Sequence, residues 1–343
     1  IKTHHILNKY LMSKLNLDEI NNKIVNVSSF VDELKTKMRD TIIGQDELVD
    51  KVLISMLANG HVLLEGVPGL AKTLLVKTLA NLIETDFQRI QFTPDMLPAD
   101  LLGTLVYNQK TGEFDTRKGP IFSNIILADE INRSPAKVQS ALLESMQERQ
   151  VTIGENTFTL NSPFLVMATQ NPIEQEGTYP LPEAQIDRFL FKLIVRYPSM
   201  DAERTVMRQN NAIPVKDSKS GPIVRPSQIL DAQNAINDIY VDEKIEDYVL
   251  NLIFSTREPS KYGLKDLDDI IDFGASPRAT INIIRAAKAR AFIEHRGYIT
   301  PEDIRYIGFD VLRHRVILTY EAEAEELIPD DVIQRLFDTI EVP

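Results

Sequence analysis

The sequence predicts an α/β fold, in which a parallel β-sheet is covered by helices on both faces and is followed by a smaller, all-helical domain. Short, β-rich apolar runs alternate with helix-like segments up to about residue 197. Beyond that point almost every segment has helical period. The 343 residues, 43% of them apolar, suffice for two domains. We expect an α/β domain over residues 21–197, a helical domain over 198–343 and a flexible N-terminal segment over 1–20.

The α/β domain is expected to begin with two amphipathic helices on either side of the break TIIGQ, residues 41–45, because apolar residues recur there three and four apart. The expected strands are HVLLE (61–65), FQRIQF (87–92), NIILAD (124–129), PFLVMATQ (163–170) and RFLFKLIV (188–195). Two further segments are expected to form β-hairpins that project from the sheet. One turns at Lys110 to Gly112, the other at Gly154 to Asn156.

The helical domain is expected to begin after Pro198, with Ser199 as the cap of a new helix. Helical period then predicts SQILDAQNAINDIY (227–240), DEKIEDYVLNLIFSTR (242–257), SPRATINIIRAAKARAFIEHR (276–296) and TPEDIRYIGFDVLRHR (300–315). In the last of these, Thr300 is the expected cap and Pro301 the first helical residue. The segment KDSKSGPIVRP, residues 216–226, is an expected loop.

Composition narrows the possible functions. Because the chain has no cysteine, it has no disulfide, thiolate metal site or cysteine nucleophile, which fits a reducing, cytoplasmic location. The net charge of −12 opposes the basic face that sequence-independent nucleic-acid binding requires. No apolar run approaches the roughly 20 residues of a membrane span, so membrane insertion is not expected.

The segment GVPGLAKT, residues 66–73, lies between a predicted strand and a predicted helix. It matches the phosphate-binding pattern G-x-x-x-x-G-K-[ST], except that Ala71 replaces the second glycine. In such a loop backbone N–H groups face a polyphosphate, Lys72 supplies a cation and the Thr73 hydroxyl joins the Mg²⁺ shell. We expect Ala71 to be tolerated because a residue with helical φ/ψ accepts a methyl group. The alternative is a strand-turn-helix junction that carries a lysine by chance.

Two other strand ends supply candidate partners for this loop. Asp129 and Glu130 follow an apolar run, where an aspartate can hold Mg²⁺ through water and a glutamate can polarise the attacking water. Asn171 follows the strand PFLVMATQ, and its amide could orient the same water. Taken alone, these patterns are also typical of an acidic turn and of an asparagine that turns the chain before Pro172.

Arg188 and Arg278 are candidate phosphate-binding arginines. Arg188 is expected to open a strand at the domain edge, where it either pairs with Asp187 or, in an oligomer, reaches a γ-phosphate bound to a neighbour. If Ser276 caps a helix that starts at Pro277, Arg278 places a cation at the positive helix end, where an anion should face it. ATP phosphate is the obvious anion, and a solvated arginine is the alternative.

As an ordered set, these motifs resemble the AAA+ ATPases, and specifically the MoxR family. The resemblance is carried by GVPGLAKT, LADEINRSPAKVQSALLESMQERQV, ATQNPIEQEGTYPLPEAQIDRF and ASPRA, and it covers roughly residues 24–340. It implies a P-loop NTPase fold with a helical lid. It further implies a Walker A motif at Gly66 to Thr73, a Walker B motif at Ile125 to Glu130, sensor 1 at Asn171, an arginine finger at Arg188 and sensor 2 at Arg278. Within this family alanine before the lysine is expected.

The resemblance also implies ligands and partners. ATP or ADP with Mg²⁺ is expected between the α/β domain and the lid, beside TIIGQ. The implied nucleotide-binding residues are Ile43, Gly44, Gly66, Val67, Pro68, Gly69, Leu70, Ala71, Lys72, Thr73, Leu74 and Arg278, with Thr73 and Asp129 at the metal. ATP hydrolysis in hexameric rings is implied, as is chaperone-like work with von Willebrand factor A domain proteins. Two other functions stay open, namely a nucleotide-gated binding switch with negligible turnover and a DNA-linked ring motor, which the acidic charge disfavours.

Overall fold

The structure, a computed structural model, describes residues 17–67, 69–171, 177–211 and 221–343. Backbone contacts divide the chain into one unit at 32–230 and a second that combines the residues up to 31 with 231–343. These limits differ from the domains expected at 21–197 and 198–343. The difference arises because helix 17–27 belongs to the second unit, whereas the helix that follows Ser199 belongs to the first. Of the expected flexible segment 1–20, residues 1–16 lie outside the described residues and 17–20 are helical.

The helices and strands have the following bounds. The helices are α1 (17–27), α2 (Val31–Thr41), α3 (Asp46–Leu57), α4 (Lys72–Leu82), α5 (Pro98–Leu102), α6 (Ala136–Glu148), α7 (Glu183–Ile186), α8 (Met200–Asn211), α9 (Pro226–Asn237), α10 (Glu243–Ser255), α11 (Pro277–Ile293), α12 (Pro301–Leu312), α13 (Tyr320–Ala324) and α14 (Pro329–Thr339). The strands are β1 (Val62–Glu65), β2 (Phe87–Gln91), β3 (Gly103–Asn108), β4 (Glu113–Lys118), β5 (Ile125–Asp129), β6 (Gln150–Ile153), β7 (Asn156–Thr159), β8 (Leu165–Gln170), β9 (Phe191–Ile194), β10 (Ile271–Phe273) and β11 (Ile317–Leu318). Over the described ranges, no helix combines the length and apolar character needed to cross a membrane.

A five-stranded sheet forms the centre of the first unit, in the order β2-β5-β8-β1-β9. Every pair of neighbours in it is parallel. The strands alternate with helices along the chain, which confirms the predicted α/β fold class and the five predicted strands. Strands β5 and β8 are buried over nearly their whole length, as expected for strands covered on both faces. Because the strands are parallel, their carboxyl ends lie at one edge of the sheet.

The two predicted hairpins are present as separate antiparallel sheets, β3 with β4 and β6 with β7. The first turns between Asn108 and Glu113, as predicted. In the second, Ile153 pairs with Asn156, so the turn consists of Gly154 and Glu155 alone. The assignment of Asn156 to the turn was therefore wrong by one residue, because a two-residue loop suffices to connect the strands.

The second unit is predominantly helical, as predicted for the lid. Thr300 and Asp303 form a capping box at the start of α12, and the Ser276 hydroxyl accepts a hydrogen bond from the Arg278 N–H at 3.2 Å at the start of α11. The sequence patterns did not predict α13, α14 or the short antiparallel pair of β10 with β11. The patterns miss these elements because each is short or lies beyond the last strongly periodic segment.

The loop between α2 and α3, which holds residues 42–45 of the TIIGQ segment, lies against α8 at Gly44. Gly44 has φ of +73°, and a β-carbon placed on it would lie 2.5 Å from the β-carbon of Ala202. Two features of this position therefore favour glycine, namely its left-handed backbone and its close approach to α8.

We expect Gly44→Ala to lower the free energy of unfolding by about 2–4 kcal/mol, the sum of left-handed strain and steric overlap. Gly112→Ala is the matched control, because Gly112 has φ of +74° but no atom within 4 Å of its β-carbon position. It should lose only about 1–2 kcal/mol from backbone strain. Urea unfolding followed by circular dichroism measures both, and equal losses would show that the contact with Ala202 is not restrictive.

Candidate nucleotide-binding site

The candidate site lies where the carboxyl ends of β1, β5 and β8 meet. Residues 66–71 connect β1 to α4, Asp129 ends β5, and Asn171 follows β8. A cavity of about 460 Å³ opens at this edge. Its lining residues are Gly66, Gly69, Leu70, Ala71, Lys72, Thr73, Leu74, Arg89, Asp129, Glu130, Thr169 and Asn171. Segments far apart in the sequence thus converge on one cavity, as ligand sites of open α/β sheets do.

Some of the predicted site residues lie elsewhere. Ile43, Gly44 and Val67 are not part of this lining, and Pro68 lies outside the described residues. The adenine-binding role of the TIIGQ segment therefore stays a prediction.

Two of the described residues in the phosphate loop have a left-handed backbone. Gly69 has φ of +88°, and its chain neighbours apart, no atom of the described residues lies within 4 Å of its β-carbon position. Ala71 has φ of 54° and ψ of 20° and is the N-cap of α4, which begins at Lys72. The condition on which alanine was expected to be tolerated, a helical backbone at this position, is not met, because the chain makes its last turn at Ala71 before entering the helix. A non-glycine residue in this conformation costs roughly 1–2 kcal/mol.

Lys72 lies at the start of α4 with its side chain folded back onto the loop. Its Nζ donates a hydrogen bond to the Gly66 carbonyl at 2.6 Å. Burial lowers the pKa of Lys72, while the carboxylates of Asp129 and Glu130 act in the opposite direction. An anionic ligand would therefore relieve the cost of holding this cation, and the positive end of α4 favours the same kind of ligand.

Both carboxylate oxygens of Asp129 are bound by neighbouring strands. Arg89 on β2 donates to Oδ2 from Nη2 at 2.6 Å and from Nε at 3.0 Å. The Thr169 hydroxyl on β8 donates to Oδ1 at 2.6 Å. Asp129 is thus held between its two neighbours in the sheet.

Glu130 has different partners, although it is the next residue. Its Oε2 accepts a hydrogen bond from Gln91 Nε2 at 2.8 Å and forms an ion pair with Arg133 Nε at 3.1 Å. Its backbone is left-handed, with φ of 56° and ψ of 51°, and its N–H donates to Thr169 Oγ1 at 2.8 Å. This conformation also costs roughly 1–2 kcal/mol, and the hydrogen bond to Thr169 helps to maintain it.

Sequence reasoning missed Arg89, Gln91, Arg133 and Thr169. A signal for two of them was present in FQRIQF, because Arg89 and Gln91 are two residues apart on a strand and so share one side of it. Thr169 lies two residues before Asn171, and both residues line the cavity. What the sequence lacks is the strand order that places β2 and β8 on either side of β5.

The two predicted arginines lie outside this cavity lining. The prediction that Arg188 opens a strand was wrong, because β9 begins at Phe191 and Arg188 lies in the turn after α7. Its Nη1 donates to the Leu143 carbonyl at 3.2 Å. Arg278 is exposed in the first turn of α11 in the other unit, and its contact with a phosphate stays a prediction.

The donor atoms at the cavity fit a magnesium ion bound together with a polyphosphate. Thr73 supplies a hydroxyl and Asp129 a carboxylate, the hard oxygen ligands that Mg²⁺ prefers. No group of three or more His, Cys, Asp or Glu side chains suited to a metal occurs in the part of the chain that the structure describes. Mg²⁺ takes one or two protein ligands and completes its shell with phosphate oxygens and water, so Thr73 and Asp129 would suffice as its protein ligands.

The strand-loop-helix with its lysine, the acidic pair on a nearby strand and the parallel sheet define the P-loop class of nucleotide-binding proteins. Residues 61–191 match the model of the ATPase family associated with various cellular activities (AAA), and residues 266–336 match that of the AAA lid domain. The chain belongs to the MoxR family of AAA+ ATPases.

Similarity to individual proteins extends over most of the chain. "Chaperone MoxR1" of Mycobacterium tuberculosis is 50% identical, over 90% of this chain and 81% of that protein. "Protein MoxR" of Methylorubrum extorquens is 30% identical, over 88% of this chain and 92% of that protein. A solved structure from Cytophaga hutchinsonii is 49% identical, with a TM-score of 0.89 and coverage of 95% of this chain and 99% of that one.

We expect Ala71→Gly to raise the free energy of unfolding by up to about 1 kcal/mol, because glycine relieves left-handed strain that outweighs its loss of chain entropy. At a helical position the same change would lower stability by roughly 0.5–1 kcal/mol. Ala141→Gly, inside α6, is the control and should show that loss. Differential scanning calorimetry gives the sign, and a destabilised Ala71→Gly would argue against the left-handed conformation.

Proposed function

We propose that this chain binds and hydrolyses ATP, with Glu130 as the general base. The observation that carries the proposal is that the loop lysine Lys72 and the acidic pair Asp129 and Glu130 line one cavity at the carboxyl edge of the sheet. A cation for the phosphates, a carboxylate for the metal and a second carboxylate for water are the groups that phosphoryl transfer to water requires.

In the proposed mechanism each of these residues has a separate task. Lys72 binds the outer phosphates, exchanging its bond with the Gly66 carbonyl for a phosphate oxygen. Thr73 and Asp129 would hold Mg²⁺, which neutralises phosphate charge when it is bound. Asn171 orients the attacking water, and Glu130 accepts its proton. Arg278 would sense the γ-phosphate.

We further propose that Arg188 acts on the nucleotide of a neighbouring copy, so that hydrolysis requires a ring, expected to be a hexamer. This is supported by the position of Arg188 outside the phosphate-loop cavity. It lines a separate cavity of about 290 Å³ together with residues of α6, among them Glu144 and Glu148. A second copy would therefore be needed to bring an arginine of this kind to the γ-phosphate.

The client role rests on family membership alone. We propose a cytoplasmic, chaperone-like protein that remodels or matures other proteins and works with a partner that carries a von Willebrand factor A domain. Pull-down with a Glu130→Gln variant in the presence of ATP tests it, because a complex arrested before hydrolysis should retain its partner. Recovery of the same proteins without ATP would count against nucleotide-controlled client binding.

The second candidate is a nucleotide-gated switch with negligible turnover. It is favoured by the hydrogen bond from Gln91 and the ion pair with Arg133 at Glu130 Oε2, since a carboxylate held in this way has to be released before it can act as a base. Steady-state phosphate release separates the two candidates, because only the enzyme releases phosphate continuously.

We expect Glu130→Gln to retain ATP binding and to lower turnover by at least about 100-fold, because an amide cannot accept the proton of the attacking water. Phosphate release measures turnover, and a fluorescent ATP analogue measures affinity. Glu33→Gln, an exposed position on α2, is the control and should leave both unchanged. Full activity in Glu130→Gln would exclude Glu130 as the base.

We expect Arg188→Ala to bind ATP and to lose most turnover, and to regain part of it when mixed with Glu130→Gln. In rings formed at random from equal amounts of the two variants, about a quarter of the interfaces combine an intact Glu130 in one subunit with an intact Arg188 from its neighbour. Arg204→Ala, which removes an exposed arginine of α8, should keep full activity. If mixing restores nothing although the subunits co-assemble, Arg188 does not act on a neighbour.

A further inference from the structure

Thr169 connects the two acidic residues through a single hydroxyl group. Its Oγ1 accepts a hydrogen bond from the Glu130 N–H at 2.8 Å and donates one to Asp129 Oδ1 at 2.6 Å. A hydroxyl has one proton, and the Glu130 N–H can only donate, so the proton of Thr169 is directed to Asp129. The direction of both bonds is thereby determined by chemistry.

The Thr169 side chain is well suited to hold a fixed position. It is only 2% exposed, and it lies on β8 in the middle of the parallel sheet. A β-branched residue on a strand has few accessible rotamers. The hydroxyl therefore remains between the two acidic residues without competition from bulk water.

The geometry points to Thr169 as a positioning residue that keeps Asp129 and Glu130 in the relative arrangement required for hydrolysis. This inference rests on the proposed ATPase function and assigns Thr169 no contact with the reacting atoms. Without the hydroxyl, the Glu130 N–H loses its acceptor and Asp129 Oδ1 loses its donor. The left-handed backbone of Glu130 then has one restraint fewer, and its carboxylate is free to move with the turn.

The alternative role for Thr169 is purely structural, a buried hydroxyl whose loss would weaken the fold and nothing else. The two roles differ in their effect on the steps of the reaction. A positioning residue affects turnover and the metal requirement while leaving nucleotide affinity nearly intact. A structural residue lowers stability and the fraction of folded protein, and the folded molecules turn over normally.

The test compares Thr169→Val, which removes the hydroxyl and keeps the shape, with Thr169→Ser, which keeps the hydroxyl. We expect the valine variant to lower kcat at least about tenfold, because small displacements of catalytic groups have effects of this size. The serine variant should stay within about threefold of the parent chain. Without Mg²⁺, the affinity for a fluorescent ADP analogue should be unchanged in both variants. With Mg²⁺, the metal concentration that gives half of the metal-dependent binding of this analogue should rise about threefold or more in the valine variant.

Two further variants protect the test against a folding defect. If Thr169→Val does not fold, Thr169→Ala is compared with Thr169→Ser. These two variants differ by the hydroxyl alone, so the comparison still isolates its effect on turnover. Thr319→Val is the control for hydroxyl loss, because the Thr319 hydroxyl donates to the Asp269 carbonyl at 3.0 Å and accepts from the Ala322 N–H at 3.3 Å, remote in sequence from the acidic pair. It should lower the thermal midpoint and leave turnover within about twofold.

The outcomes separate this inference from the proposed function. If the parent chain turns over and Thr169→Val matches it in kcat and in Mg²⁺ requirement, the positioning role is overturned and the ATPase proposal stands. An equal loss of turnover in Thr169→Val and Thr169→Ser likewise overturns it, because the hydroxyl is then not what matters. If the assembled parent chain shows no turnover, the ATPase proposal itself fails.

Discussion

The parallel pairing of β5 with β2 and β8 is the constraint on which the site depends. In this register Gln91 pairs with Asp129, and Ala128 pairs with Ala168. Asp129 is thus the first residue of β5 that reaches water, after four buried apolar residues. A shift of one position would either bury its carboxylate or expose an apolar side chain, and both are unfavourable. The charge that ends the strand therefore also fixes the register that brings Arg89, Gln91 and Thr169 to it.

The fold was largely predictable from local patterns, and the details of the site were not. The five sheet strands, both hairpins and the caps at Ser276 and Thr300 follow from periodicity and residue preferences over a few positions. The left-handed backbone of Ala71 and Glu130 could not be predicted from local patterns, because the path of the chain through the site imposes it. The hydrogen bond from Thr169 to Asp129 spans 40 residues, and only the strand order predicts a contact of that kind.

Each charged side chain at the cavity already has a polar or charged partner within the protein. A bound nucleotide would either replace such a partner or add a further contact. Lys72 is bonded to the loop carbonyl of Gly66, and burial lowers its pKa. Asp129 is neutralised by Arg89, and Glu130 by Arg133. A bound polyphosphate with Mg²⁺ would place anions beside Lys72 and a cation beside Asp129. The ligand would thus offer each of these two side chains a group of opposite charge. The same charges therefore stabilise the protein by itself and suit the proposed substrate.

Strain at the site is concentrated in the two turns that face the ligand. Ala71 and Glu130 both line the cavity, and both adopt a conformation that most residues avoid. At Ala71 the strain accompanies a sharp entry into α4, which directs the helix N-terminus at the place proposed for phosphate. At Glu130 it accompanies the separation of two adjacent carboxylates, which have different hydrogen-bond partners and to which the proposed mechanism assigns the metal and the water. Glycine would relieve the strain at either turn, but at Glu130 it would also remove the carboxylate that we propose as the base.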